Sequence, residues 1–568
     1  MSLNLRLPIL SLIVVGWGST LQGSAQNLET IGKEPPLKVG GGLSLSQIFY
    51  GTTGISRRDP YSYFLTGNLN ASVFGFNIPL SFAVSNQSRS FQQPFNQFSL
   101  SPTYKWATAH VGYASMSFSP YTLGGHIFRG VGIDLKPERF VFSAMYGQLK
   151  RAVAPDTLEQ RLPSFERWGW GMKAGYREGN DFAELSVFHA EDQQGSLGEI
   201  PADNSLLPEE NLAVGLSLGK SLFERFALQL DWGGSALTRD MRTEPLAPQG
   251  GWRVAQALFQ SRTSTSYYQA VKAGLQYQID GYSLGGGYER IDPGYRTHGA
   301  YFFNNDLENY TLNASGSWME SRLSANASGG IQRDNLDRTK ISTLQRWVGS
   351  VQVAVVPNER LQLSTSYSNF QSFTNIRSQF VDINQLTPFD NLDTLRFTQI
   401  SQSVNLNAGY TLQTSSTKRQ IVSCNLAVQD ASERQQDIAQ NSGSRFYNIN
   451  TSYTVSWLPL QMNVHVAYNL SRNESAQMSL TTHGPSTSLS KTMLQKKLRL
   501  SLTGALNTSG SEGTLTRIIN VRNQVGYRLR DKHQISAGLV MVSRQSRGME
   551  TARSFTEFTG TLNYNYSF

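Results

Sequence analysis

The last eleven residues constrain this chain more than any other stretch: Phe558, Gly560, Leu562, Tyr564, Tyr566 and Phe568 alternate with Thr559, Thr561, Asn563, Asn565 and Ser567. A period of two places every apolar or small side chain on one face and every polar one on the other, which describes a half-buried strand. A strand that must face lipid on one side and a polar lumen on the other has this pattern, so a membrane barrel is the fold expected of a chain that closes this way.

The same period recurs along the chain, in about 26 segments, with no long amphipathic helix among them. Clear examples are Val39–Phe49, Tyr63–Val73, Phe98–Trp106, Phe140–Ala152, Trp168–Tyr176, Tyr267–Ile279, Leu460–Leu470 and Ile519–Leu529. Ile127–Leu135, Ala183–His189, Val422–Val428 and Thr482–Met493 alternate more weakly. The connections alternate in length. Short ones such as Lys136-Pro137-Glu138, Asp280-Gly281 and Arg530-Asp531-Lys532 carry tight-turn chemistry. Between them lie long stretches at Thr52–Ser62, Asn86–Asn96, Val153–Ser164, Asp192–Glu210, Arg239–Thr263 and Gln371–Asp393.

The expected fold is therefore all-β, a single transmembrane antiparallel barrel of about 26 strands (range roughly 22–26), with short periplasmic turns and longer extracellular loops. Tyr104, Trp106, Trp168, Trp170, Trp318, Trp347 and Trp457 crowd strand ends, where aromatic girdles meet the lipid–water interfaces. Strands about 4.8 Å apart and tilted near 40° add roughly 6 Å of circumference each, which encloses a space of very roughly 50 Å backbone diameter. Left open, such a hole would abolish the permeability barrier. Inward side chains, folded-in loops or a partner chain must fill it.

The front end fits this expectation. Arg6 precedes the run Leu7, Ile9, Leu10, Leu12, Ile13, Val14 and Val15, followed by Gly23 and Ala25, the pattern of a secretory signal peptide. The expected division is 1–25 signal peptide, 26–37 a short periplasmic segment and 38–568 the barrel, in the outer membrane of a Gram-negative cell. The segment before the first strand is too short for a transporter plug. A mean hydropathy of −0.34 does not contradict a membrane protein, because only half of each strand faces lipid.

Lys and Arg total 50 against 41 acids, and removing Arg6 with the signal leaves 49 − 41 = +8. These cations are scattered rather than striped, which disfavours nucleic acid and suits outer-membrane lipid and lipopolysaccharide. Cys424 is the single cysteine and excludes a disulfide framework. The seven histidines are dispersed, with no H-E-x-x-H and no G-x-S-x-G. No enzyme, cofactor or metal is expected.

Three loop clusters hold acids and amides: Asn304, Asn305, Asp306 with Glu308; Asp334, Asn335 with Asp337; and Asp390, Asn391 with Asp393. Ca²⁺ ligation and Asx turns both use such residues, and turn chemistry is the simpler account. Aromatic loop residues at Phe91, Phe95, Phe118, Tyr121, Tyr301, Phe302 and Phe303, with Asp306 and Glu308, form the candidate plug or binding surface. A packed barrel rim is the competing account of the same aromatics.

The terminal strand resembles the C-terminal signal of bacterial outer-membrane barrels, which the barrel-assembly machinery reads. By that resemblance Phe558, Gly560, Leu562, Tyr564, Tyr566 and Phe568 would carry the signal. Tyr63–Asn86, Pro94–Trp106, Arg139–Val153 and Arg290–Tyr310 resemble large outer-membrane barrels of Bacteroidota, a family without assigned activity. The resemblance implies location and fold and transfers no functional residue. Bacteria of that group pair barrels with surface lipoproteins or use very large barrels for export. The leading expectation is a passage or translocation barrel gated by its loops or by a partner chain, such as a lipoprotein or plug. The alternative is a structural barrel that anchors loops binding a lipoprotein, glycan or secreted protein.

Overall fold

A computed structural model describes residues 37–568 apart from 57, 74, 87–95, 155–162, 198–205, 248–256, 302–303, 341–344, 370–374, 377–394, 397–401, 432–433, 436–437, 440–443, 476–477, 512 and 549–553. The expected signal peptide, nearly all of the expected segment 26–37, Phe91, Phe95, Phe302, Phe303 and the Asp390 cluster lie outside the described residues.

Within the main sheet each strand pairs antiparallel with the strands before and after it, two short hairpins standing apart, and the first strand, Leu37–Thr52, pairs with the last, Phe555–Ser567, which closes the sheet. The sheet holds 27 strands, of which Gln97–Leu100 and Thr103–Tyr104 are two halves of one stave, so the barrel has 26 staves. Pro102 lies between the halves. It has no N–H to give the ladder, so the strand expected to run from Phe98 to Trp106 breaks there. The strand expected to reach Ala152 ends at Lys150. Two strands, Ala107–Ser117 and Leu361–Ser368, do not stand out by periodicity. The first carries Ala, Gly and Ser on both faces, and the second has only 8 residues.

The turns expected to be short join their strands at Lys136–Arg139, Gly179-Asn180, Phe223–Arg225, Asp280-Gly281 and Asp531-Lys532. Gly281 sits at φ +76°, a left-handed conformation that costs glycine nothing, which is why a two-residue hairpin works there. On the other side two connections, 476–478 and 512–513, are as short as the turns, so the length alternation lapses near the end. The first strand starts and the last strand ends on the short-turn side: the Phe568 N–H reaches the Gly41 carbonyl (3.1 Å) and that of Ser567 the Lys532 carbonyl (2.8 Å).

The register puts the apolar and aromatic side chains of neighbouring strands on the outer face, among them Leu45, Leu65, Tyr564 and Leu562. Leu312 is 74% exposed, and Leu185, Leu284, Leu539 and Val131 are exposed too, which water would not tolerate around a whole barrel but lipid favours. Aromatics bracket this belt. Phe76–Tyr104, Phe140–Tyr176, Phe226–Tyr277 and Tyr282–Trp318 meet near the short turns, and Phe49–Tyr61, Tyr146–Trp168 and Tyr288–Tyr310 toward the long loops. From Trp168 to Tyr176 the chain climbs about 27 Å, or roughly 21 Å along the normal at 40° tilt, close to the ~25 Å apolar band of membrane barrels. Among the described residues no helix is long and apolar enough to cross a membrane.

Candidate functional site

The interior is uneven. Along the wall from Gly124 to Ile291, two long-side loops fold inward instead of standing above the rim. The first, Phe118–Leu123, follows the strand Ala107–Ser117; the second follows Tyr282–Ile291, and its stretch Asp292–Ala300 is the part that turns inward. Phe118, Tyr121, Leu123, Tyr295, Thr297 and His298 are buried, although they belong to connections expected on the extracellular side.

An apolar core lies inside the barrel. Phe118 and Leu123 pack with the inward side chains Met116, Phe128, Met145, Leu149, Phe188 and Ala190. A second cluster joins Tyr121 and Tyr295 to Ala270 and Ile291. Each large side chain buried this way stabilises the infolded arrangement by about 1.5–3 kcal/mol. The wall makes room with glycine. A Cβ at Gly233 would sit 2.3 Å from the Tyr121 Cβ and 2.8 Å from the Tyr295 hydroxyl, and one at Gly171 would sit 2.8 Å from the Phe118 ring.

Hydrogen bonds tie the two loops to each other across most of the sequence between them. The Tyr295 hydroxyl donates to the Tyr121 carbonyl (2.7 Å), the Thr297 hydroxyl to the Thr122 carbonyl (2.8 Å) and the Gly124 N–H to the Gly299 carbonyl (2.9 Å). They are tied to the wall as well. The Tyr121 hydroxyl donates to Glu289 (3.2 Å), Thr122 meets Ser186 (3.1 Å), and Ser235 donates to the Arg296 carbonyl (2.6 Å). Asn211 spans both: its Nδ2 donates to Ser235 (2.8 Å) and its Oδ1 accepts from the His298 N–H (3.0 Å).

A charged layer stands beside this shelf. Arg167 is forked onto Asp192 at 2.7 and 2.8 Å and also reaches Glu209 (3.0 Å), which accepts from Arg296 (2.8 Å). His298 Nε2 lies 3.7 Å from Glu209 and has no hydrogen-bond partner among the described residues. Burial, with Arg167, Arg296, Lys150 and His126 nearby, holds its imidazole well below the ordinary value; Glu209 cannot offset this because two arginines already share it.

The remaining sequence candidates fall elsewhere. Tyr301 is exposed at the rim, stacked on His126 at 4.0 Å between ring centroids. Asp306 and Glu308 are not open ligand oxygens. Asp306 accepts from the Leu336 N–H (2.9 Å) and pairs with Lys340, while Glu308 pairs with Arg333 and accepts from the Tyr288 hydroxyl (2.9 Å). Asp337 caps Thr339 at 3.1 Å (N–H) and 2.8 Å (hydroxyl), an Asx turn. Phe558, Gly560, Leu562, Tyr564 and Tyr566 line the outer face of the closing strand.

Across the interior, on strands between Leu361 and Met493, runs a ladder of amides and hydroxyls. Asn405 donates to Ser366 (3.4 Å), Asn425 to Asn407, Asn450 to Asn469, and Asn469 to Ser486 (3.5 Å). Sequence reading registers these inward residues only as the polar half of an alternation. Of the shelf it singles out Phe118 and Tyr121 but not their partner Tyr295, because Tyr121 and Tyr295 are 174 positions apart.

No family model and no curated protein matches the chain. Solved structures that resemble it include the translocation pore of the P pilus usher PapC (11% identity, 94% of this chain and 100% of that one, TM-score 0.38). Others are the ferric preacinetobactin receptor BauA from Acinetobacter baumannii (8%, 93% and 81%, 0.36) and the copper transporter OprC (9%, 94% and 81%, 0.37). At such identities and TM-scores the likeness carries no function across. By its own pairing the chain is a closed 26-stranded antiparallel barrel with a lipophilic exterior and a loop-built shelf inside.

Proposed function

We propose that the protein is an outer-membrane passage barrel whose lumen is narrowed by its own infolded loops. One observation carries the reading: Phe118–Leu123 and Asp292–Ala300 are built into the inner wall by a buried core and mutual hydrogen bonds. Loops serving only as a surface anchor would gain nothing from displacing water inside the lumen, whereas a gate must rest there. The lipophilic belt and its girdles support the membrane assignment, and the first strand starts and the last ends on the short-turn side, as in barrels whose turns face the periplasm.

The amide and hydroxyl ladder opposite the shelf offers a moving solute hydrogen bonds without fixed charge, so the class of cargo we infer is polar and uncharged along its length, such as a glycan or an extended peptide. Single-channel current in planar bilayers tests the gate. Removing residues 119–122 should raise the conductance several-fold; a bilayer that stays sealed with and without the deletion sinks the passage reading. A stoichiometric lipoprotein or periplasmic chain recovered in mild detergent would favour the anchoring alternative instead.

A further inference from the structure

On the outer face, at the level of the long-side girdle, three side chains converge that sequence spacing gives no reason to group. His189 and Glu191 lie two apart on the strand Asp181–Gln193, and Glu210 begins the next strand, Glu210–Leu222. Glu191 and Glu210 face each other directly across the pair, and His189 sits diagonal to Glu210. One ligand atom from each lies within 4.8 Å of the others, and His189 Nε2 is 3.0 Å from Glu210 Oε1. His189 and Glu210 are buried, Glu191 half-buried.

We propose that His189, Glu191 and Glu210 hold a first-row divalent cation of the Zn²⁺ class.

The donor set suits this class. One imidazole with two carboxylates matches Zn²⁺ and its neighbours, whereas Ca²⁺ and Mg²⁺ take oxygen alone. Tetrahedral ligands at about 2.1 Å from Zn²⁺ stand roughly 3.4 Å from one another. The His189–Glu210 contact is already near that edge, and a Glu191 oxygen, within 4.8 Å of both, must close in by up to about 1.4 Å and give up the long hydrogen bond from Gln193 Nε2 (3.4 Å) to complete the face.

Charge points the same way. Two carboxylates directly opposite on neighbouring strands repel. Among the described residues no Lys or Arg forms a salt bridge with either, whereas Asp192, Glu184 and Glu308 each meet an arginine. A divalent cation removes the repulsion at a depth where an anionic headgroup layer would otherwise be turned away. The Trp170 ring stacks on His189 at 5.8 Å and fixes the imidazole plane. A cavity of about 500 Å³ lined by Tyr146, Trp168, Trp170, His189 and Glu191 opens onto the cluster, so an ion can enter and a fourth ligand can reach it.

The test is calorimetric titration of Zn²⁺ into the full-length, EDTA-stripped barrel in detergent, with Co²⁺ quenching of tryptophan emission as a second readout. One equivalent is expected, with affinity lowered about 100-fold in His189→Ala and at least about 10-fold in Glu191→Gln and in Glu210→Gln. His483→Ala, whose imidazole meets Tyr468 on another part of the wall, should bind as the parent does. Retained heat-modifiable mobility on gels shows that each variant is folded. If His189→Ala does not fold, the half-buried, isosteric Glu191→Gln decides alone. Binding that survives Glu191→Gln undiminished, or no saturable binding below roughly 100 µM, overturns the proposal and leaves an adventitious ion only.

Discussion

Single residues decide whether the shelf stays docked. Gly233 leaves the space that Tyr121 and Tyr295 occupy, so Gly233→Val should cost about 1–3 kcal/mol of docking by overpacking and appear as a larger, noisier single-channel current. His298 makes the same equilibrium sensitive to acid. Its imidazole titrates well below about 6.5 when docked and near that value when released, so below that pH the released form binds the extra proton. Docking is thus complete above about pH 6.5 and weakens as pH falls, by up to about 1.4 kcal/mol per pH unit. Current should rise on acidification toward pH 5, and His298→Gln should flatten the response. An unchanged pH profile in that variant would assign the sensitivity elsewhere.

Elements obey the parity that alternation imposes. On the closing strand Leu562 faces out and Asn563 in, paired with Ala537 and Ser536 of the strand before it. Leu562→Arg should therefore cost about 2–4 kcal/mol near the mid-plane, whereas Asn563→Arg should be tolerated, as read by urea unfolding in lipid vesicles and by heat-modifiable mobility. Equal loss in both variants would mean that the strand is read as an assembly signal rather than as a lipid face. The broken stave at Pro102 shows the limit of periodicity: the alternation of Phe98, Leu100 and Tyr104 continues across a residue that cannot join the ladder.

At the scale of the molecule, an even number of staves places the start of the first strand and the end of the last with the short turns. Amine labelling of intact cells checks the sidedness that follows. Lys340, in the connection 334–344, should react without lysis, while Lys136 and Lys532, in short turns, should not. The reverse pattern would invert the barrel. The interior is divided as well, into a charged wall carrying the shelf and an amide wall facing it, and a neutral oligosaccharide should block the current more than a salt of similar size.

Much of this was legible in the residues. Alternation from Val39 to Phe568 specifies the strands, their lipid faces and, with the turn chemistry of residues such as Gly281, the side on which the first strand starts and the last ends, because these depend on neighbours within a few positions. Phe118 and Tyr121 could be picked out as unusual loop aromatics, but nothing near them says that Tyr295 will donate to the Tyr121 carbonyl. His189 and Glu210 look like two unrelated polar residues until strand pairing sets them 3.0 Å apart. Local periodicity determined the barrel. What fills it and what its outer rim can hold were decided by contacts between distant segments, which form only once the sheet has closed and brought them to the same height.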